Sequence, residues 1–464
     1  MLRFDLSKIK CVNKSSQKNK IMKKKFTLIS AFLLACASLQ AVTLQVPAQY
    51  PSIQAGINAA VNGDTVLVEP NNTYVENVDF TGKDITVRTP NPLADRLNTI
   101  IDGNASGSVV KFISNETNNA KLEGFTLRNG SGTVRDWSYY LPMTVLSGGG
   151  ILCDSPIAFG GSSASGSSPV LTYLIIENNS AEIGGGIAVW KYSFPEISHV
   201  IIRYNSCTNA GGGIAYFEMF NTGGPLLTLT NAEITHNTGG VNGGSGVLVN
   251  YTTKLTMMNC TVSDNTGPVI SGEALFRANG AIFEIHNCIF WGITSDLLYD
   301  QGGAGAISTV DYSDAPNTFG PLTAGAGMIN AGPAFVNASL NDYHLTGTSP
   351  CINAGTLPGS PPDDLENMPR IGNPDLGAYE FNTTSIAENF NLQISMGPNP
   401  AEKDLIIYTK QRLVIHVTEP GGRLVKTFTS NAGISTIVDI SELSRGIYLF
   451  CAEGKAAAKK IVKL

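Results

Sequence analysis

From residue 171 onward the apolar positions follow neither a strict two-residue nor a 3.6-residue rhythm; they form a figure that returns every 26 to 32 residues. Five segments fall into register on one corner residue: Leu171–Asn179, Ile197–Asn205, Leu229–Asn237, Met257–Asn265 and Ile285–Ile293. An apolar residue stands eight positions before each corner (Leu171, Ile197, Leu229, Met257, Ile285). A small or apolar residue stands five before (Leu174, Val200, Ala232, Cys260, Cys288), and a larger one three before (Ile176, Ile202, Ile234, Val262, Phe290). Positions ten and eight before the corner share one parity, and five and three share the other. Side chains alternate across a strand, so the parity switch requires a bend between two short strands, six before the corner, on Asn231, Asn259 and Asn287.

Short strands broken by fixed bends at this period coil so that each turn lies on the last, about 4.8 Å away. Like positions stack, and inward columns of Leu, Ile, Val and Phe make a core that no single turn could bury. The corner column Asn179, Asn205, Asn237 and Asn265 is explained by two properties of Asn: it tolerates left-handed backbone, and its amide can bond to the Asn above and below. Leu122–Gly130 reads as an earlier turn, with Phe125 and Leu127 inward and Gly130 at the corner. Gly-Gly-Gly-Ile at 148–151, 184–187 and 211–214, with the looser 243–247, predicts a tight turn feeding a third strand. A propeller blade is longer than this period, and an α-solenoid needs a helical apolar rhythm that is absent. The expected class is all-β: a right-handed parallel β-helix, or solenoid, over residues 42–381.

Composition fits this reading, with 49 Gly and only 15% charged residues in 464. Residues 1–41 read as leader and signal peptide, with Met22 as start: Lys23, Lys24 and Lys25 give a basic region, Phe26–Ala35 an apolar one, and Leu39-Gln40-Ala41 a cleavage site. A rival reading takes Leu33-Leu34-Ala35-Cys36 as a lipoprotein box, against which stands the bulk of Leu34. The apolar run is too short for a stable span, so no integral membrane segment is expected after signal removal. Residues 1–41 hold nine basic side chains and one acidic, which leaves 22 basic against 36 acidic, a net charge of −14. Such a surface argues against nucleic acid and anionic lipid. The remaining Cys153, Cys207, Cys260, Cys288, Cys351 and Cys451 are spaced neither as a zinc pattern nor as a dense disulfide framework.

An open coil needs caps. Pro51–Ala60 supplies a helical one, with Ser52 as N-cap and Ile53, Ile57 and Ala60 on one face, before Asn62-Gly63-Asp64 turns into the strand Thr65–Val68. This run, continuing through Asn72–Asn77 and Asp84–Val87, resembles the opening of the pectin-lyase-like right-handed β-helix superfamily. Asp342-Tyr343-His344-Leu345, Ser349–Gly355 and Asp375–Glu380 resemble the closing segment of a bacterial surface group within it. After a linker at 382–391 the pattern changes. Pro398-Asn399-Pro400, the strand Asp404–Tyr408, Glu419–Arg423, Val438–Leu443, Gly446-Ile447-Tyr448 and a basic end with Lys459 and Lys460 predict a small antiparallel β-sandwich over 392–464. The ordered set resembles the C-terminal sorting domain of Bacteroidota type IX secretion cargo. That resemblance implies type IX machinery as partner, passage through inner and outer membranes, and residence at the cell surface or outside it.

Fold alone does not give activity. A hydrolase of this shape needs clustered acids, and a calcium-dependent lyase needs several carboxylates plus a base. The outward column two before the corner reads Glu177, Arg203, Thr235, Ser263, Trp291. It holds one acid and one base, which reads as an ion pair on neighbouring turns. His199, His236 and His286 occupy three different offsets and cannot stack into one metal site; Asp363-Asp364 reads as a turn; Cys260 and Cys288 read as a small-residue column. No catalytic residue, metal or cofactor is called for. The 49 residues between corners Gly130 and Asn179 form one turn with two insertions, Ser131–Ser147 and Asp154–Ser168. Inserted loops host binding more often than scaffold strands, and flat aromatic rings suit sugars. Trp137, Tyr139, Tyr140, Trp190 and Phe217 are therefore the glycan-binding candidates, with packing beneath the loop as the competing role. The expected function is non-catalytic glycan binding or adhesion, against a polysaccharide lyase or glycoside hydrolase with an atypical site.

Overall fold

The computed structural model describes residues 41–136, 144–156, 166–217, 227–250, 254–268, 273–294, 296–301, 307–316, 320–381, 394–397, 401–409, 412–419, 423–431, 435–452 and 458–464. They fall into two compact units: one reaches to Tyr343 and includes Ser349–Tyr379, and the other comprises His344–Thr348 with Glu380–Leu464. The predicted linker lies outside the described residues.

The first unit is a coil of parallel strands. Sheet A runs from Thr43–Val46 through Thr65–Val68, Thr86–Arg88, Lys121–Arg128, Val170–Glu177, Glu196–Arg203, Leu227–Thr235, Lys254–Met258, Ile282–His286 and Ser308–Asp311 to Leu322–Ala324. Sheet B stacks Val78–Asp79, Val110–Phe112, Ile151–Cys153, Ile187–Trp190, Ile214–Phe217, Val247–Asn250, Leu275–Ala278 and Leu298–Asp300. The shorter sheet C holds Thr133–Asp136, Thr144–Ser147, Ser180–Ile183 and Ser206–Ala210. The register pairs Leu171 with Ile197, Ile197 with Leu229 and Leu229 with Met257, as the corner alignment predicted. All three inward columns of sheet A join the inward side chains of sheet B, such as Ile187, Val189, Ile214 and Tyr216, in one continuous core.

The bend carries the parity switch. Gly124, Tyr173, His199, Asn231, Asn259 and Asn287, each six before its corner, all have positive φ. One expectation is corrected at the corner itself: the left-handed residue is the one before the corner Asn. Asn178, Tyr204, His236 and Asp264 have φ of 54–56°. The corner Asn residues instead turn inward and form the amide ladder. Asn179 Nδ2 donates to Asn205 Oδ1, Asn205 to Asn237 and Asn237 to Asn265, each at 3.0 Å. The two jobs assigned to one residue are divided between neighbours, because an inward amide needs the chain to have turned already.

The first glycine of each Gly turn is left-handed (Gly148, Gly184, Gly211, with both Gly243 and Gly244 in the looser one). The next two lie too close to the following turn for a side chain. A methyl on Gly149 would stand 2.7 Å from Ser180 O, and one on Gly212 would stand 2.6 Å from Thr238 O.

At the start of the coil the helix Ile53–Ala59 buries Ile53, Gly56 and Ile57, and Ser52 Oγ accepts from Ala55 N at 3.1 Å. Glu76 completes this cap by accepting from Ile53 N and Gln54 N, both at 2.9 Å. The closing segment departs from expectation: it lies along the side of sheet A instead of closing the end. Thr356 bonds Asn287 (2.8 Å), Ser360 bonds Asn259 (3.0 Å), Asp363 O accepts from Asn231 (2.9 Å) and Asn367 accepts from Tyr173 OH (3.0 Å). From Thr356 to Asn367 this strap climbs the bend column backwards across four turns, from Asn287 to Tyr173. Its return leg places Ala378 N on Thr261 Oγ1 (3.0 Å) and Tyr379 OH on Glu233 (2.7 Å). The cause is local. The bend amides point outward and need partners, and outward Ile175 and Ile201 need cover, which Tyr343, Leu365, Ala378 and Tyr379 provide.

The Cys column is confirmed as small inward residues: the six described thiols are free, and Cys260 N donates to Cys288 Sγ at 3.4 Å. Burial pushes the Cys207 thiol up to about 12 and Cys153 well above its usual range. Thiolate is the reactive form. Under a brief alkylation pulse near neutral pH, half-buried Cys451 is expected to label first and the five buried thiols only after unfolding. Intact mass measured with and without denaturant checks this, and equal labelling in both would contradict the packing.

The second unit is the predicted antiparallel sandwich. One sheet orders Ile394–Gly397, Asp404–Thr409 and Ser435–Asp439; the other orders Leu424–Ser430, Leu413–Thr418, Gly446–Ala452 and Ala458–Lys463. Strict alternation puts Leu405, Ile407, Ile415, Val417, Tyr448, Phe450 and Ile461 into a shared core.

Candidate functional site

The interrupted turn is built as a hairpin set on the coil. Thr133–Asp136 and Thr144–Ser147 pair antiparallel, Asp136 opposite Thr144 and Thr133 opposite Ser147. Trp137, Tyr139 and Tyr140 belong to the connection between these strands, outside the described residues. Next to the connection, Arg135 pairs with Asp154, whose other oxygen lies 3.9 Å from Lys191 Nζ. Asp154 is buried; burial raises its carboxyl above the ordinary range, and the Arg135 and Lys191 charges pull it back.

The second insertion returns through Ser167, whose hydroxyl donates to Glu116 Oε2 (2.7 Å) and lies 2.9 Å from Asp154 O. Glu116, fully buried, also accepts from Gly82 N (2.7 Å) and Ser114 N (3.0 Å). A carboxylate held by two backbone donors and a hydroxyl is a structural anchor. Neither the Arg135–Asp154–Lys191 group nor the Glu116 anchor was singled out from sequence. A signal existed for the first: Asp154 follows inward Cys153 in the outward column that Trp190 and Phe217 continue.

Trp190 and Phe217 align in register and stack at 4.9 Å with 15° between planes. They do not form an open platform. At 2% and 3% exposure they belong to a second apolar cluster outside sheet B, with Leu152, Ala188, Leu248, Phe276 and Val145 from the hairpin. Val145 of the inserted turn joins Ile183 and Ala210 of sheet C in this cluster, so packing, the competing role, describes both rings.

Glu177 and Arg203 form the expected ion pair at 2.8 Å, partly exposed to solvent and worth about 0.2–1 kcal/mol. The three histidines are apart: His199 meets Asp363, His236 meets Tyr343, and His286 meets Asp311. Among the described residues no group of three or more His, Cys, Asp or Glu could hold a metal ion. Asp364 is a turn residue, accepting from Glu366 N and Met368 N at 2.8 Å. In the second unit Gly446, Ile447 and Tyr448 lie on a strand paired with the one carrying Lys459 and Lys460; Ile447 is exposed and Tyr448 buried. Among the described residues no helix is long and apolar enough to cross a membrane.

Residues 153–318 match the family described as right handed beta helix region, which fixes the class of the first unit as a right-handed parallel β-helix. Residues 395–464 match the secretion system C-terminal sorting domain, and the protein is cargo of the type IX secretion system, exported to the cell surface or extracellular space. No curated protein matches the chain.

Proposed function

We propose that the exported β-helix is a non-catalytic glycan-binding or adhesion protein, and that the inserted turn is its binding place. The observation that carries this reading is the construction of that turn: a two-stranded hairpin whose Val145 joins the apolar cluster of Trp190 and Phe217, and whose Arg135, next to the connection, pairs with buried Asp154 beside Lys191. That connection contains Trp137, Tyr139 and Tyr140, and aromatic faces are the side chains that sugar rings stack on. Three carboxylates beside the turn, Glu116, Asp154 and Glu182, are occupied by backbone donors or cations, Glu182 by Leu146 N, which leaves them poorly placed for acid–base chemistry.

A screen of neutral and acidic polysaccharides with the signal-free chain tests this. Binding to at least one glycan is expected, weakened about tenfold in Trp137→Ala, as loss of one ring contact worth about 1.4 kcal/mol would give. Trp190→Ala is expected to lower thermal stability first. Release of unsaturated or reducing ends would instead establish the lyase or hydrolase reading, and binding indifferent to Trp137→Ala would remove the inserted turn from the site.

A further inference from the structure

We propose that Asn279 is a site of spontaneous covalent modification, at which the side-chain amide is exchanged for a carboxylate through a cyclic succinimide formed with the Gly280 nitrogen. Four Asn-Gly steps occur in the chain, at 62–63, 129–130, 242–243 and 279–280. A glycine nitrogen has no side chain beside it to hinder attack on the preceding asparagine, so all four steps carry the reactive pair. The fold decides which of them can use it. Ring closure needs the backbone N–H after the asparagine to be free of an acceptor, and the asparagine side chain to be free to swing onto it.

Three of the four steps are held. Gly63 N donates to Asp84 O (2.8 Å), and Asn62 Oδ1 accepts from Asp84 N (3.1 Å). Gly130 N donates to Oδ1 of the buried corner residue Asn179 (2.8 Å), while Asn129 Nδ2 is tied to Asp102 (2.8 Å). Gly243 N donates to Gly240 O (3.1 Å), and Asn242 is bound twice to Asn209, through its backbone N (2.8 Å) and its Nδ2 (2.6 Å). The fourth step is different. Among the described residues Gly280 N meets no acceptor, and the exposed Asn279 side chain makes one bond, from Nδ2 to Asn250 Oδ1 at the surface (2.8 Å). Both residues are left-handed, with φ of 53° and 81°, in a two-residue turn that Ala281 N closes on Ala278 O at a long 3.3 Å. A long, exposed bond of this kind opens readily.

The chemistry needs water and nothing else. The Gly280 nitrogen gives up its proton and attacks Asn279 Cγ; a C–N bond forms, and the side-chain nitrogen leaves as ammonia carrying that proton. Water then adds to one of the two ring carbonyls. Opening at Cγ leaves aspartate, and opening at the main-chain carbonyl leaves isoaspartate, with the chain now running through Cγ. Either product ends the Nδ2 bond to Asn250. Isoaspartate also adds a carbon to the main chain in the short link between Leu275–Ala278 of sheet B and Ile282–His286 of sheet A.

Incubating the signal-free chain at mildly alkaline pH, folded and in denaturant, with peptide mass spectrometry and isoaspartate-specific enzymatic methylation, tests this. In denaturant all four steps are expected to react at comparable rates. In the folded protein Asn279 is expected to react at least about tenfold faster than the other three, which must first break a backbone bond; tenfold corresponds to about 1.4 kcal/mol. Asn279→Gly keeps a residue that accepts left-handed backbone and is expected to abolish the change in that peptide while leaving the other three unaltered. Any of the other three reacting as fast as Asn279 in the folded protein, or Asn279 staying intact when folded although it reacts in denaturant, would overturn the proposal. So would an undiminished change in the same peptide of Asn279→Gly.

Discussion

Asn237→Ala is expected to destabilise the β-helix by about 3 kcal/mol, far more than the loss of a surface amide. Asn237 Oδ1 accepts from both the backbone N and the Nδ2 of Asn205, each at 3.0 Å, while its own Nδ2 donates to Asn265 Oδ1 (3.0 Å) and Ile202 O (2.8 Å). Alanine removes all four bonds at once. Some partners keep an alternative: Asn205 Nδ2 still reaches Ile176 O, and Asn265 Oδ1 still accepts from Asn237 N. The Asn205 backbone N–H does not, and a buried donor stranded without water costs about 1–3 kcal/mol alone. Turns support only their neighbours, so the damage falls on the interface between adjacent turns and weakens coupling along the coil. Asn209→Ala is the control, because its amide pairs with Asn242 on the exposed side and is expected to cost less than about 0.5 kcal/mol. Urea unfolding of both variants measures the difference, and similar midpoints would mean that the ladder contributes no more than surface bonding.

The ladder also marks where sequence reasoning ran out. Stacking, inward columns, bend positions and the helical cap were legible because each depends on residues one turn apart or closer, and the repeat reports them several times over. The left-handed residue before each corner was not. Asn178, Tyr204, His236 and Asp264 stand there; Asn, His and Asp tolerate positive φ but Tyr does not favour it, so the column carries no uniform signal. The strap's direction was hidden for a different reason. Asn259 meets Ser360 from 101 residues away, and the sequence contains both partners without saying that they meet. The site was half legible: alignment paired Trp190 with Phe217, but whether the pair faces solvent depends on where a non-repeating insertion folds. The same limit separates address from activity. The tail's alternation is local and its match assigns export, whereas ligand recognition rests on a single inserted turn.

Gly185→Ala is expected to cost about 4 kcal/mol or more, enough to prevent accumulation of folded protein. Conformational freedom does not explain this, since the left-handed residue of that turn is Gly184, at φ +66°. The obstacle is the next turn. A methyl on Gly185 would stand 2.7 Å from Gly212 O and closer still to Ser206 O. Gly212 O is itself the acceptor for Gly186 N at 3.0 Å, so moving it aside breaks a rung of the stack. Gly63→Ala isolates the other effect. Gly63 has φ +92° with nothing within 4 Å of an added methyl, so only backbone strain of about 1–2 kcal/mol applies. The two variants should therefore differ clearly in soluble yield and in urea midpoint, with Gly185→Ala the worse. If Gly63→Ala proved equally damaging, the Gly triplets would be ordinary turns. The expected order instead makes them the place where the coil's turns pack backbone against backbone.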